Sequence, residues 1–296
     1  MAAFESQGRT LISNAQLNRK SGRTVYWIVL TTVLIVFVLA FLGPLYWMVT
    51  GALKSGSEVA HVPPTFVPKH PVWVNYVDAW KQAHLGRLLL NTIYYAFGAL
   101  LFQLVFDTAA AYSLSKLRPI GGKVVLGAML ATLMIPSTVL VIPQYLTVLD
   151  LPLVHWSLID KPWAIWLPTV TNAFSIFLLK RFFDSIPQDL MSAASIDGAG
   201  PLRTLWSIVL PLSRPILGVV SILTVTNVWK DFLWPSLVEP SSNTRTVNVG
   251  IYAFSNGLPQ YTVIAAAVIA AIPTIVVFLI LQKNIIAGLT AGGLKE

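Results

Sequence analysis

Six apolar segments, each long enough to cross a lipid bilayer as a helix, constrain this sequence more than any other feature. The hydrocarbon core of a bilayer is about 30 Å thick, so a spanning helix needs roughly 20 predominantly apolar residues. Charged residues make up only 11% of the chain, whereas a soluble domain has about 25%. The sequence therefore predicts an all-α, polytopic membrane protein with six spans, at residues 25–49, 88–112, 123–146, 160–183, 214–236 and 262–286.

Lysine and arginine are distributed unevenly between the two sets of predicted loops. Thirteen fall on the side that holds the N-terminal tail and the C-terminus, and six fall on the opposite side. Cytoplasmic loops of membrane proteins are enriched in these residues. We therefore expect both termini to be cytoplasmic, with residues 1–24 as a cytoplasmic tail and residues 25–296 as the transmembrane domain.

Several function classes are disfavoured by what the chain contains. It has no cysteine, and its four histidines lie in predicted outer loops without metal-ligand spacing. The stretch around Lys123 lacks the upstream glycine and the following Ser or Thr of a Walker A loop, so we expect no ATP site and no metal site. The net charge of +8 is scattered among short loops, which fits membrane topology better than nucleic-acid binding.

The connection between the fourth and fifth predicted spans has the most specific local pattern. Ser185 and Gln188 have the spacing of a capping box. Gly198 is suited to a turn because glycine adopts positive φ without steric cost, and Pro201 suits the first position of a following helix. The sequence predicts a cytoplasmic helix-turn-helix over residues 185–211, with a small-residue turn that could insert into a groove on another protein.

This connection resembles the EAA loop of permease subunits from ATP-binding-cassette (ABC) importers. That loop reads E-A-A, three residues, G, nine residues and then I-x-L-P. The chain holds these places with Ala193, Ala194, Gly198, Ile208, Leu210 and Pro211. Ser192 stands where the pattern has glutamate, which would weaken one polar contact to the ATPase unless another residue supplies it.

Three further stretches resemble the sugar permeases within that family. Residues 110–117 (AAYSLSKL) look like the end of the second span. Residues 288–295 (GLTAGGLK) look like the tail of the smaller permease of the maltose-type pair. Residues 229–235 (WKDFLWP) resemble a fifth-span motif that usually reads W-N-D/E-F, with Lys230 in place of the asparagine. The resemblance covers nearly all of the chain after residue 25.

The resemblance implies the permease of a type I importer in a prokaryotic plasma membrane. A second, homologous permease would complete the pore, two ATPase subunits would bind ATP and Mg²⁺, and an extracellular solute-binding protein would contact the loop at residues 237–261. The implied ATPase-coupling residues are Ser192, Ala193, Ala194, Asp197, Gly198, Ala199, Arg203 and Pro211. The implied C-terminal contacts to the ATPase are Gly288, Gly292, Gly293 and Lys295.

Charged and polar residues inside the predicted spans are candidates for a substrate pathway. Such residues are costly in a membrane and are often functional. Two interpretations of Lys230 and Asp231 remain open: they line the pathway, or they take part in a mutual or inter-subunit ion pair that holds the kink before Pro235. The candidate pathway residues are Asn227, Trp229, Lys230, Asp231, Asn172, Gln144 and Tyr145. Asp107 is a further charged residue within a span.

An ion-coupled secondary transporter of small polar solutes is the alternative function. It would share this composition, but it would be expected to show an inverted repeat, which is not evident, and it would not explain the cytoplasmic helix-turn-helix. A membrane-embedded enzyme would need a convergent set of catalytic side chains, and none is evident. A sugar or short oligosaccharide is the expected substrate class, although similar permeases also carry amino sugars and glycerol phosphate derivatives.

Overall fold

The computed structural model describes residues 20–293, with side chains described for residues 22–283. Within that part of the chain the regular structure is helical and no β-strand occurs. The α-helices are α1 (Lys20–Ala52), α2 (Gly56–Val59), α3 (Val74–Gln82), α4 (Leu85–Tyr112), α5 (Gly122–Thr132), α6 (Ser137–Leu149), α7 (Trp163–Thr169), α8 (Ala173–Ser185), α9 (Gln188–Ile196), α10 (Pro201–Thr204), α11 (Leu210–Leu212), α12 (Arg214–Lys230), α13 (Leu233–Val238), α14 (Val247–Ser255) and α15 (Gln260–Gly293). Two π-helical segments, Ser113–Leu117 and Leu205–Val209, follow α4 and α10.

Three helices are long and apolar enough to cross a membrane as single elements. They are α1, α4 with its π-helical extension, and α15, and they correspond to the first, second and sixth predicted spans. Helix α1 begins at Lys20, five residues before the predicted span. The apolar window of α1 is entirely unburied within the chain, so lipid or another subunit must cover it.

The third and fifth predicted spans are bent rather than straight. Helices α5 and α6 meet at 101°, where Pro136 precedes α6 and cannot continue the hydrogen-bond ladder of α5. The segment from α10 to α11 meets α12 at 82°. With each bent pair counted as one span, the described residues provide up to five spans.

The fourth predicted span, residues 160–183, is also interrupted. Helix α7 ends at Thr169 and α8 begins at Ala173. Asn172 caps α8 with its side-chain oxygen, which accepts a hydrogen bond from the Ser175 N–H at 3.0 Å. Its own backbone N–H donates to the buried Asp107 carboxylate on α4 at 3.1 Å, so the break is fixed by a tertiary contact.

Helices α4 and α12 form the centre of the bundle. Helix α12 packs against α4 and α15, α4 packs against α8, and α15 also contacts α1 and α3. Ala265, Ala266 and Ala270 of α15 are buried, and such small side chains let neighbouring helices approach closely. Gly98 of α4 lies directly against the Trp166 ring of α7, where any Cβ atom would overlap the indole.

Candidate functional site

The predicted helix-turn-helix is present in the structure, as α9 (Gln188–Ile196) followed by α10 (Pro201–Thr204). Helix α9 ends in a Schellman motif, in which the Ala199 N–H donates to the Ala194 carbonyl at 2.8 Å and the Gly198 N–H donates to the Ser195 carbonyl at 3.1 Å. Gly198 has φ of +75°, and open space surrounds the position of a Cβ atom there. The turn therefore requires a left-handed residue and leaves room for a partner.

The capping box predicted before α9 is wrong. The Ser185 hydroxyl donates back to the Phe182 carbonyl at 2.7 Å, and Pro187 precedes α9 with no side-chain cap. A proline in this position leaves the first helical N–H groups to solvent or a partner. The start of the second helix is as predicted, with Pro201 at its first position.

Helix α9 is anchored to the membrane helices by its apolar side. Met191 is buried with Leu205 and Val209 in a cluster that also contains Phe183 of α8 and Val220 of α12. The opposite side of the turn carries exposed apolar residues. Ile196 is 86% exposed and Leu202 is 73% exposed. Of the predicted ATPase-coupling residues, the structure exposes Ser192, Ala193, Asp197, Gly198, Arg203 and Pro211, and it leaves Ala199 half-buried. Ala194 is buried, so the prediction that it contacts a partner is not met on this surface.

Polar contacts join the C-terminal end of α4 to the residues that lead into α9. Lys116 Nζ donates to the Ile186 carbonyl at 2.7 Å. The Ser115 hydroxyl donates to Asp184 at 2.7 Å, and Lys180 forms an ion pair with the same carboxylate at 2.7 Å. These residues were not predicted as part of the coupling region, because only the fold brings residue 116 next to residue 186.

A groove of about 770 Å³ lies on one side of α12 and α15. Its lining is mainly apolar and aromatic, and includes Thr226, Trp229, Lys230, Phe232, Asn248, Tyr252 and Thr274. Trp229 Nε1 donates to the Ala270 carbonyl at 3.1 Å, and the Asn248 amide donates to the Trp229 carbonyl at 2.7 Å. These two bonds fix α12, α14 and α15 around the groove.

Lys230 and Asp231 do not form an ion pair with each other in the structure. Lys230 is exposed to the groove, whereas Asp231 accepts a weak hydrogen bond from the Trp234 N–H at 3.4 Å at the start of α13. The mutual ion pair that the sequence left open is therefore absent. An ion pair with another subunit stays a prediction.

The other predicted pathway residues lie apart from this groove. Asn227 is exposed outside the groove lining, and Asn172 serves as the cap of α8. Gln144 and Tyr145 lie on α6, and Tyr145 packs against the core cluster around Trp166. Of the seven candidates, the structure places Trp229 and Lys230 in the groove lining.

The groove residues of α14 were not predicted from the sequence. The segment 237–261 was predicted as an outer loop, but part of it folds into α14 and places Asn248 and Tyr252 beside Lys230. The apolar run VNVGIYAFS of α14 was the available signal. Its apolar character indicates a packed helix rather than a solvated loop.

The segment that precedes α14 is hydrogen-bonded to α4 and to the residues before α7. The Asn91 amide donates to the carbonyls of Asn243 and Arg245, at 2.7 and 3.0 Å. The Asp160 carboxylate accepts hydrogen bonds from the hydroxyls of Ser241 and Thr244, both at 2.6 Å. These contacts hold residues 241–245 against Asn91 of α4 and against Asp160.

Glu239, two residues before Ser241, is completely buried. Among the described residues, no donor lies within hydrogen-bond distance and angle of its carboxylate oxygens. Burial raises the pKa of Glu239 to about 7, and the nearby Asp160 carboxylate adds to the rise. At low pH the neutral acid needs less solvation than the carboxylate and is the favoured buried form.

The remaining predicted sites lie at the end of the chain or in the outer loops. Gly288, Gly292 and Gly293 fall in the last part of α15, and Lys295 lies outside the described residues. Residues 20–293 contain no group of three or more His, Asp or Glu side chains that could hold a metal ion. His155 contacts the Asp150 carboxylate at 3.2 Å on the surface.

Comparison with known proteins decides the family. A family model described as "Binding-protein-dependent transport system inner membrane component" matches residues 108–290, which is more than half of the chain and includes the whole helix-turn-helix. The chain belongs to this family. It is therefore the permease component of an ABC importer in the inner membrane, the ATPase of such an importer is a separate chain, and the ion-coupled alternative has no support.

Curated relatives cover nearly the full length of the permease. The sn-glycerol-3-phosphate transport system permease protein UgpE of Yersinia pestis is 31% identical over 266 residues, covering 86% of this chain and 93% of that protein. The melibiose/raffinose/stachyose import permease protein MelC of Bacillus subtilis is 31% identical over 282 residues, covering 93% and 99%.

Solved structures show the same fold. A chain of a bacterial ABC transporter involved in the import of the acidic polysaccharide alginate has a TM-score of 0.79 at 26% identity, covering 90% of this permease and 98% of that chain. A chain of an alginate transporter in complex with a periplasmic protein that holds an alginate pentasaccharide has a TM-score of 0.65 at 16% identity, which shows the fold alone. The type I ABC permease fold predicted from the EAA-like segment is confirmed.

Proposed function

We propose that this permease is one of two homologous membrane subunits of an importer that carries a sugar or short oligosaccharide into the cell. The segment from α9 to α10 carries the proposal, because it presents an exposed small-residue turn and is packed firmly on the membrane helices. Two ATPase subunits that bind ATP and Mg²⁺ dock on this turn, and an extracellular solute-binding protein delivers the solute. The relatives that import glycerol phosphate and raffinose-type sugars support a polyol or sugar as the solute.

The contacts of α9 explain how ATPase movement reaches the solute pathway. Met191 packs in one cluster with Ile216 and Val220 of α12. The same helix carries Trp229 and Lys230 at its other end. A displacement of the turn therefore shifts α12, and transport is coupled to ATP hydrolysis when the ATPase contacts the turn differently in its two states.

Docking at the turn can be tested by cysteine labelling, because the chain contains no cysteine of its own. Ile196→Cys in membranes should react with a maleimide when the permease is expressed without the ATPase, and should be protected when the ATPase is assembled. Ile120→Cys is the matched control, since Ile120 is a fully exposed residue of another predicted cytoplasmic loop. Equal labelling of Ile196→Cys with and without the ATPase would contradict docking at this turn.

We also propose six spans with both termini in the cytoplasm. The bends between α5 and α6 and before α12, together with the break between α7 and α8, accommodate the three interrupted spans inside the bundle. A membrane-impermeant maleimide added to intact cells should label Leu153→Cys, in a predicted outer loop, but not Ile120→Cys. The reverse pattern would invert the proposed topology.

Affinity purification of the permease in mild detergent should recover a second permease, an ATPase and a binding protein. In liposomes, the recovered complex should take up solute only with internal ATP. Uptake that instead follows a proton or sodium gradient, with no ATPase in the complex, would contradict the proposed function.

A further inference from the structure

Lys230 places an uncompensated positive charge in the groove. Its ammonium forms no ion pair or hydrogen bond with any described residue. No aspartate or glutamate is among the described residues that line the groove. A cation beside a mainly apolar lining within a membrane protein is costly unless an anion or water compensates it.

The Lys230 ammonium makes no hydrogen bond to the carbonyl groups at its own helix end. A lysine in the last turn of a helix can interact with the free carbonyl groups there. In α12, however, the Asn227 carbonyl already accepts from the Asp231 N–H at 3.1 Å, and the Trp229 carbonyl accepts from the Asn248 amide at 2.7 Å. The ammonium therefore remains available to a group outside the described chain.

The surroundings of Lys230 suit a sugar-sized solute. The groove volume of about 770 Å³ lies within the usual range of about 300–1,000 Å³ for small-molecule sites. Phe232 and Tyr252 lie at its edge with ring centroids 5.2 Å apart. Asn248, whose amide bonds to the Trp229 carbonyl, and Thr226 add polar side chains to the lining.

We propose that this groove is a subsite for an anionic group on the transported solute, and that Lys230 is the residue that selects for it. The solute is a sugar or polyol that carries a phosphoryl, sulfonate or carboxylate group. Its anion contacts the Lys230 ammonium, and its hydroxyl groups contact the polar residues of the groove. This inference rests on the proposed function, because it assumes that solute passes along this surface of the permease.

The charge preference is tested first on the solute-binding protein that co-purifies with the permease. Its melting temperature is measured with matched neutral and anionic probes: glucose and glucose 6-phosphate, galactose and galacturonate, and glycerol and sn-glycerol 3-phosphate. We expect stabilisation by an anionic member of at least one pair and not by its neutral counterpart. A binding protein that no anionic probe stabilises would overturn the proposal.

The second test measures initial uptake of the stabilising probe by the complete importer in ATP-loaded liposomes. K230N, which restores the residue usual in the motif, should lower uptake about tenfold or more, because a charge-assisted hydrogen bond is lost. K230R should retain most uptake, since it keeps the charge. K81N removes a lysine from the outer helix α3, away from the groove, and should transport like the wild type.

The outcomes distinguish failure of the proposed anion subsite from failure of the proposed importer function. Unchanged uptake in K230N overturns the subsite, as does ATP-dependent uptake of neutral probes alone by the wild type. Loss of the second permease from purified K230N would show that Lys230 pairs with a carboxylate of that subunit, which also overturns it. Failure of the wild-type complex to use ATP for uptake of a solute that stabilises its binding protein contradicts the importer function instead.

Discussion

Lys116 Nζ donates a 2.7 Å hydrogen bond to the carbonyl of Ile186, which joins the end of α4 to the residue pair that leads into α9. The neighbouring Ser115 hydroxyl binds Asp184 on α8. The turn that the ATPase would contact is therefore linked to α4 and α8 by polar bonds, in addition to the apolar cluster around Met191.

Lys116→Met should weaken coupling while preserving the side-chain volume. The Ile186 carbonyl would lose a charged donor in a partly buried position, where such a loss costs about 1–3 kcal/mol. We expect solute transported per ATP to fall several-fold in reconstituted importers. Lys123→Met removes an exposed charge from the same connection and should retain wild-type coupling; equal losses in the two variants would rule out a specific role for Lys116.

Gly198→Asp should abolish transport without changing the solute affinity of the binding protein. The substitution puts a carboxylate at the exposed turn, where a partner would have to bury it. Gly198→Asn is the matched control, because asparagine has nearly the same size and both residues tolerate a positive φ. Uptake assays measure transport, and the melting temperature of the binding protein with solute measures its affinity, so a loss of transport is distinguished from a loss of solute binding. Wild-type uptake by Gly198→Asp would remove the turn from the coupling mechanism.

Gly98→Ala should destabilise the packing of α4 on α7. The new Cβ atom would overlap the Trp166 ring, whose Nε1 is held by the Tyr95 carbonyl at 3.1 Å. Overpacking of this kind costs about 1–3 kcal/mol. Gly127→Ala, where the added atom meets open space, should be neutral or slightly stabilising. Thermal unfolding of the detergent-solubilised importer should show the difference, and equal melting temperatures would place Trp166 elsewhere.

Glu239 should make the stability of the permease depend on pH near neutrality. Its pKa is raised from 4.5 to about 7, so its contribution to stability is full below pH 4.5 and is lost as the pH rises through about 7. A shift of this size corresponds to at most about 3 kcal/mol. From pH 6 to 8 the melting temperature of the wild type should fall relative to that of Glu239→Gln. Asp189→Asn, which changes an exposed carboxylate, should run parallel to the wild type.

The straight membrane-spanning helices were predictable from the sequence, and the bends in the other spans were not. Helices α1, α4 and α15 match predicted spans because each is long enough and predominantly apolar. The interrupted spans were predicted as continuous, because hydropathy reports how apolar a segment is and does not detect a bend within it. The break before α8 depends on the contact between Asn172 and Asp107, which are 65 residues apart.

Of the two candidate sites, the turn at Gly198 was more predictable from the sequence than the groove beside Lys230. The turn at Gly198 was predictable, because its local backbone geometry favours glycine and Pro201 marks the start of the following helix. The start of α9 was not, since the capping box predicted there does not form. The groove was only partly predictable. Trp229 and Lys230 were singled out, but Asn248 and Tyr252 were missed, because the outer segment was treated as solvated.

By itself the sequence determined the membrane class, the helical content and the position of the coupling turn, since hydropathy, helix signals and glycine geometry act over a few neighbouring residues. The tertiary structure alone decided that Lys230 lines a groove and does not pair with the Asp231 carboxylate. It also decided that Lys116 binds the Ile186 carbonyl and that Glu239 is buried near Asp160. Each of these facts depends on how distant helices pack, and packing sets which charges meet a partner and which remain free.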